Sequence, residues 1–149
     1  MKRYALLLSL FLTYHSSNAA REQNIGDLKH SDSHVWRIFI DPGHGGKDQG
    51  ASIVLGGGKH QSEVFEKDIT LEASHLLKEW LHQLKTRPML LTRQSRDRDR
   101  YLSLTERSDK ANQWQADLYL SLHANYSSDS DQQGIDIYFF SHTVKNSLS

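Results

Sequence analysis

The sequence of 149 residues contains no cysteine. Disulfide bonds, thiolate metal sites and cysteine nucleophiles are therefore excluded within this sequence, and a metal site would have to use histidine, aspartate and glutamate. The sequence also lacks net charge, with 18 basic and 18 acidic residues, which argues against electrostatic binding of nucleic acid. Its length and its hydrophobic content of 37% are typical of one modest globular domain.

Long apolar runs are scarce as well, and the one that stands out is Ala5–Tyr14. The basic residues Lys2 and Arg3 precede this run, and small residues within 17–19 provide a cleavage site. Ten residues are too few to span a bilayer as a helix, so residues 1–19 are predicted to form a secretory signal peptide. We therefore expect an exported protein without a membrane span, located in the periplasm or otherwise secreted or associated with the cell wall.

The domain is predicted to begin at Val35. Residues 20–34 are polar and show no sustained hydrophobic period, which predicts a disordered linker and leaves residues 35–149 for the domain. The apolar run Val35–Ile40 predicts a strand, and the Asp-Pro-Gly sequence after it predicts a turn. This turn carries His44 among three glycines. Binding sites in open α/β sheets form beyond the carboxyl ends of strands, so a site is expected at this histidine.

Alternating strands and helices follow along the chain. Periodicity and turn residues predict a glycine-rich loop at Lys47–Ser62, helices at Glu66–Lys85 and Ser103–Gln115, strands at Pro88–Arg93, Asp117–Leu122 and Gly134–Phe140, and a solvated loop at Gln94–Arg100. Ser103 and Glu106 form a predicted capping box. This order of elements predicts an α/β fold with a mostly parallel sheet and crossover helices. The last connection is too short for a helix, so the final strand is predicted to be antiparallel.

Three residues that are far apart in the sequence are predicted to converge. His44 follows the first strand and His123 follows the third, and parallel strands share one carboxyl edge. A crossover helix starts at the same edge, which brings Glu66 close to both histidines. Two imidazoles and one carboxylate form the ligand set of a catalytic zinc site with an open coordination position. The pattern therefore predicts zinc bound by His44, Glu66 and His123.

Each of these residues also has a plainer interpretation. A histidine near a strand end is often a hydrogen-bonded surface residue, and the charge of Glu66 is also favourable simply because it lies in the first turn of a helix. Glu63 would replace it as a ligand if the helix began one turn sooner. A phosphate-binding role for the glycines is disfavoured because the spacing GxxxxGK[ST] is absent.

Six blocks of the sequence carry a family resemblance. They are IDPGHGGKDQGA (Ile40–Ala51), EKDITLEASHLLKEWL (Glu66–Leu81), LLTR (Leu90–Arg93), RYLSLTERSDKAN (Arg100–Asn112), ADLYLSLHAN (Ala116–Asn125) and GIDIYFF (Gly134–Phe140). In this order, and over nearly all of the predicted domain, they resemble the zinc-dependent N-acetylmuramoyl-L-alanine amidases. In that family the histidines of the first and fifth blocks and the first glutamate of the second bind zinc. The resemblance thus implies metal-ligand roles for His44, Glu66 and His123.

The resemblance also implies a fold and a reaction. The fold would be a three-layer α/β domain, and the reaction would be hydrolysis, by zinc-activated water, of the amide between N-acetylmuramic acid and the L-alanine of the stem peptide. Peptidoglycan is the implied partner, and a protein activator is left open.

The sequence departs from the family near its end. Family members continue past the strand at Gly134–Phe140 to a late glutamate taken as the general base, and residues 141–149 offer no match to it. Residues 35–149 are therefore expected to form an amidase catalytic domain that is incomplete at its C-terminus. The general base is left unassigned, with Asp48, Glu63 and Asp136 as undecided neighbours. The alternative function is a non-catalytic zinc- or peptidoglycan-binding remnant of such an amidase.

Overall fold

The computed structural model describes five ranges of the chain, which are residues 5–14, 35–57, 60–84, 89–127 and 134–140. The predicted linker at residues 20–34 and the C-terminal residues 141–149 lie outside these ranges.

The described residues form seven strands and two helices. In chain order these are β1 (Ala5–Tyr14), β2 (Val35–Pro42), β3 (Ser52–Gly57), β4 (His60–Phe65), α1 (Glu66–Gln83), β5 (Met89–Gln94), α2 (Leu104–Gln113), β6 (Leu118–Ser127) and β7 (Gly134–Phe140). Five strands form one sheet in the order β5-β2-β6-β1-β7, and β3 and β4 form a separate hairpin. Neither helix in the described part of the chain is long and apolar enough to cross a membrane.

Parallel pairing at the centre of the sheet determines where the site lies. Strand β2 is parallel to both of its neighbours, β5 and β6, which confirms the predicted parallel sheet with crossover helices. The register pairs Pro42 of β2 with Leu122 of β6. The next residues are Gly43, immediately after β2, and His123 on β6, so the turn after β2 begins beside His123.

The final strand has the predicted direction but a different neighbour. Strand β7 is parallel to β1, and β1 is antiparallel to β6, so β7 runs antiparallel to β6 with β1 between them. Strand β1 coincides with the apolar core of the predicted signal peptide. The structure is that of the whole sequence, with residues 1–19 still attached. The removal of residues 1–19 as a signal peptide stays a prediction.

The two helices cover opposite faces of the sheet, which confirms the expected three layers. Successive residues of a strand point to opposite faces. Ile38 and Ile40 of β2 pack on the α1 side, in a core completed by Leu120, Leu122, Ala73, Leu77 and Leu81. Phe39 points the other way, where its ring lies 5.8 Å from that of Tyr119 and 6.1 Å from that of Trp114, just after α2.

Helix α2 has the predicted start. The Ser103 hydroxyl accepts a hydrogen bond from the Glu106 backbone N–H, and the Glu106 carboxylate accepts one from the Ser103 backbone N–H, which confirms the capping box. This reciprocal pair satisfies two backbone donors at the helix terminus. The capping box fixes the residue at which α2 begins. Arg107 follows Glu106 directly, so its side chain points into the interior from the first turns of this helix.

Two predicted loops are wrong in detail. The predicted loop Lys47–Ser62 contains most of the β3–β4 hairpin, whose side chains are largely exposed and so leave no clear hydrophobic alternation. The predicted solvated loop Gln94–Arg100 contains Ser95 and Arg96, which are almost completely buried. Strand β6 is also longer than predicted, so His123 lies within the strand rather than after it.

Candidate metal centre

The structure brings His44, Glu66 and His123 together at the carboxyl edge of β2. The Nε2 atom of His44 lies 3.1 Å from one carboxylate oxygen of Glu66, and Nδ1 of His123 lies 3.0 Å from the other. One potential ligand atom from each residue falls within 4.8 Å of the other two. The histidine rings are 5.0 Å apart at an angle of 85°. Each residue comes from a different element, namely the turn after β2, the first position of α1, and β6.

The backbone around the start of α1 holds Glu66 in place. The N–H of Glu66 donates to the carbonyl of Ala51, and the N–H of Lys67 donates to the carbonyl of Gln49, so the loop after β2 satisfies donors in the first turn of the helix. The Glu66 carboxylate in turn accepts from the N–H of Ala51 and from the N–H of Ala124 on β6. The side chain is therefore fixed between loop, helix and sheet.

Glu66 is buried, with only 4% of its surface exposed. Its carboxyl group is nevertheless ionised. Burial alone would raise its pKa, but the hydrogen bonds from His123, Ala51 and Ala124 and the nearby charge of His44 lower the pKa to about 2. The carboxylate is therefore negatively charged at neutral pH and oriented toward both histidines.

His44 is held at its ring and at an unusual backbone angle. Its Nδ1 lies 3.0 Å from a carboxylate oxygen of Asp48, which leaves Nε2 facing Glu66. A carboxylate on the second ring nitrogen is the common way to orient a metal-binding histidine. Slight burial opposes ionisation of Asp48, but its hydrogen bonds with His44 and Gly50 lower its pKa below the usual range. The backbone φ of His44 is +62°, a left-handed conformation that is uncommon for a residue other than glycine.

His123 packs directly on the turn. A Cβ atom at Gly43 would lie less than 3 Å from three atoms of the His123 ring, so only glycine lets the turn approach this closely. The N–H of Gly43 donates to the carbonyl of Leu122, which ties the turn to β6 next to His123. The two histidines are 22% and 26% exposed, so the site is accessible to solvent on their side.

Two buried arginines hold the turn after β2 from the interior of the protein. The sequence patterns did not predict either of them. Arg96 donates to the carbonyls of Pro42 and Gly43, and also to the backbone and hydroxyl of α1 residues Lys67 and Thr70. Arg107 of α2 donates to the carbonyls of Pro42 and His44. Three successive carbonyls of the turn therefore accept hydrogen bonds from interior guanidinium groups.

A buried carboxylate pairs with one of these arginines. Asp41 is 3% exposed, and one of its oxygens accepts from Arg107 at 2.7 Å and from Ser95 at 2.5 Å. Its other oxygen accepts from Tyr119 at 2.5 Å and from Ser121 at 3.3 Å. Burial and the neighbouring Asp41 charge raise the pKa of Tyr119, so that hydroxyl acts as a hydrogen-bond donor at all ordinary pH values.

The alternative ligand Glu63 lies elsewhere. It sits on β4 opposite Val54, and its carboxylate accepts a hydrogen bond from Ser52 at 2.8 Å. Asp136 lies on β7, at the far end of the sheet order from β2. Among the described residues, the cluster with metal-ligand spacing consists of His44, Glu66 and His123.

The donor set is compatible with zinc. Two imidazoles and one carboxylate, with no thiolate, match a catalytic zinc site that has three protein ligands and an open position. The site lies beyond the carboxyl ends of parallel strands in an α/β domain, where ligand sites of such folds form. Fold and site together define an α/β domain with a candidate zinc centre.

Comparison with known proteins identifies the family. Residues 38–149 match the family model Amidase_3, described as N-acetylmuramoyl-L-alanine amidase, and the chain belongs to this family. The chain is 39% identical to the N-acetylmuramoyl-L-alanine amidase LytC of Bacillus subtilis over 102 residues. This alignment covers 68% of this chain and 18% of LytC. The chain is 41% identical over 90 residues to CwlM, an N-acetylmuramoyl-L-alanine amidase of Bacillus licheniformis, covering 60% of this chain and 31% of that one.

A solved structure of the same family is similar as well. The catalytic domain of CwlV, from Bacillus (Paenibacillus) polymyxa var. colistinus, is 31% identical, with a TM-score of 0.49 over 60% of this chain and 45% of that chain. The chain spans less than a third of the length of the two curated relatives named above.

Gly50 is expected to be essential to the site geometry. Its φ is +67°, and a Cβ atom there would lie 2.6 Å from the His44 ring and 2.7 Å from a Glu66 oxygen. Gly50→Ala should therefore reduce zinc bound per chain at limiting metal, measured by elemental analysis, and lower the thermal midpoint. Gly57→Ala is the matched control, because a Cβ atom at Gly57 meets nothing within 4 Å. Equal zinc binding by both variants would show that close packing at Gly50 has no bearing on the site.

Glu66 should make stability depend on pH in the metal-free protein. Its pKa is lower when folded, about 2 against an ordinary 4.5. The charged form therefore stabilises the fold above about pH 4.5, and this contribution, about 3 kcal/mol in full, is lost as the pH falls toward 2. Urea unfolding with chelator present should give wild type and Glu66→Gln free energies that converge on acidification. A constant difference between pH 7 and pH 3.5 would contradict the low pKa.

Proposed function

We propose that this chain carries the zinc centre of a peptidoglycan hydrolase that cleaves the amide between N-acetylmuramic acid and the L-alanine of the stem peptide. Membership of the N-acetylmuramoyl-L-alanine amidase family supports the reaction. The observation that carries the proposal is the convergence of His44, Glu66 and His123, with their ligand atoms within 4.8 Å of one another.

The three side chains have distinct tasks in this proposal. His44 and His123 offer imidazole nitrogens, and Glu66 offers a negative charge that offsets part of the charge of a divalent cation. Asp48 keeps the His44 ring turned so that Nε2 faces the metal position. A bound zinc ion supplies Lewis-acid polarisation of the substrate carbonyl and activation of water.

The general base is not assigned. Asp48 is engaged by His44 and by the N–H of Gly50, and Glu63 is engaged by Ser52. Because the carboxylates of Asp48 and Glu63 already serve structural contacts, a second function has support: a module that binds zinc or peptidoglycan without turnover.

The proposed substrate and the sequence both support export. Peptidoglycan lies outside the cytoplasmic membrane, and the apolar run Ala5–Tyr14 after Lys2 and Arg3 has the composition of a signal peptide. We place the protein in the periplasm, or otherwise in the cell wall or the surrounding medium.

Release of stem peptides from purified sacculi tests the function. The full chain loaded with zinc should release peptides, and chelator or His44→Ala should abolish the release together with the bound zinc. His82→Ala is the control, since His82 contacts Thr92 near the end of α1 and takes no part in the site. Zinc binding without peptide release would favour the non-catalytic module. Undiminished zinc content in His44→Ala would contradict the metal centre itself.

A further inference from the structure

We propose that Arg107 is a positioning residue for the metal ligand His44 and acts through the backbone of that ligand. This inference rests on the zinc centre proposed above. Arg107 is 4% exposed, and its guanidinium is hydrogen-bonded at all three nitrogens. Its Nη2 donates to the His44 carbonyl at 2.7 Å, and its Nη1 donates to the Pro42 carbonyl at 2.9 Å and to the Asp41 carboxylate at 2.7 Å. Its Nε donates to the Leu102 carbonyl at 3.1 Å.

The backbone of His44 needs such support. A φ of +62° is unfavourable for a side chain with a Cβ, and such conformations persist only where surrounding contacts hold them. Two contacts hold this residue from opposite ends. Asp48 holds the ring at Nδ1, and Arg107 holds the carbonyl. Loss of the second contact would free the peptide after His44 to rotate, and the ring would then be displaced from Glu66.

Asp41 determines where the guanidinium lies. Its carboxylate is itself fixed by hydroxyl groups of Ser95, Tyr119 and Ser121, on or next to the strands β5 and β6. The chain of contacts therefore runs from the interior of the sheet, through the Asp41–Arg107 ion pair, to the carbonyl of a metal ligand.

The chemistry of this position requires arginine rather than lysine. The planar guanidinium presents several donors in a rigid fork, so one side chain reaches the carboxylate and both carbonyls at once. A lysine would keep the charge next to Asp41, but its single nitrogen cannot occupy the three places where Arg107 has Nε, Nη1 and Nη2. Arg107→Lys thus preserves most of the ion pair and removes the hold on His44.

Zinc affinity separates a positioning role from a merely structural one. The dissociation constant of the full 149-residue chain is measured by competition with a chromophoric chelator, and the thermal midpoint of the metal-free chain is measured alongside. Arg107→Lys should weaken zinc binding by about 10-fold or more, the size of effect seen when residues that orient metal ligands are lost. Ala111→Gly is the matched control, because it destabilises the same helix at a buried position and leaves Arg107 in place.

Each outcome decides the question. Weaker zinc binding in Arg107→Lys, together with wild-type affinity in Ala111→Gly at a similarly lowered midpoint, supports the inference. Affinity within twofold of wild type in Arg107→Lys, or equal weakening in both variants, overturns it. If Arg107→Lys does not fold, Asp41→Asn is judged by the same criteria, because it keeps the shape of the carboxylate and removes its charge. Failure of the wild-type chain to bind zinc would instead overturn the proposed function.

Discussion

The carboxylate of Asp41 lies where four segments of the chain meet. It accepts hydrogen bonds from Ser95 after β5, Arg107 of α2, and Tyr119 and Ser121 of β6. A buried carboxylate is costly unless it is paired and fully hydrogen-bonded, and removing one partner of a buried ion pair typically costs about 3–5 kcal/mol. The arrangement of β2, β6 and α2 around this group is therefore strongly constrained. The same carboxylate lies three residues before His44, so the constraint is transmitted directly to the site.

The turn after β2 can be precise although it is rich in glycine. Its carbonyls at Pro42, Gly43 and His44 point into the protein and accept from Arg96 and Arg107. The glycines permit positive φ angles and close approach, while the arginines remove the freedom that glycine would otherwise introduce. Contacts from surrounding residues orient the ligands of a metal site. Here the groups that hold the turn are Arg96 and Arg107, which are buried in the interior of the domain.

Much of this arrangement was predictable from local patterns. The periodicity of α1, the capping box at Ser103 and the strand ahead of His44 were visible because each depends on residues close in sequence. The convergence of the three candidate ligands followed from the direction of the parallel strands and from the start of the crossover helix at the same edge. The burial of Arg96 was not predictable in this way, because Arg96 opens the alternating charged run RDRDR (residues 96–100) and such runs are usually solvated. The burial of Arg107 on α2 was not predictable either, because only tertiary contacts reveal the carbonyls that its guanidinium binds. The β3–β4 hairpin was missed because its exposed strands lack a hydrophobic period.

X-ray absorption at the zinc edge tests the central claim most directly. The full chain would be loaded with one equivalent of zinc, and the ligand shell would be compared with that of His123→Ala. We predict two imidazole nitrogens at about 2.0–2.1 Å from zinc, with oxygen ligands completing the shell, and one imidazole nitrogen in the variant. A shell made only of oxygen atoms, or an identical shell in the variant, would contradict a zinc centre formed by His44, Glu66 and His123.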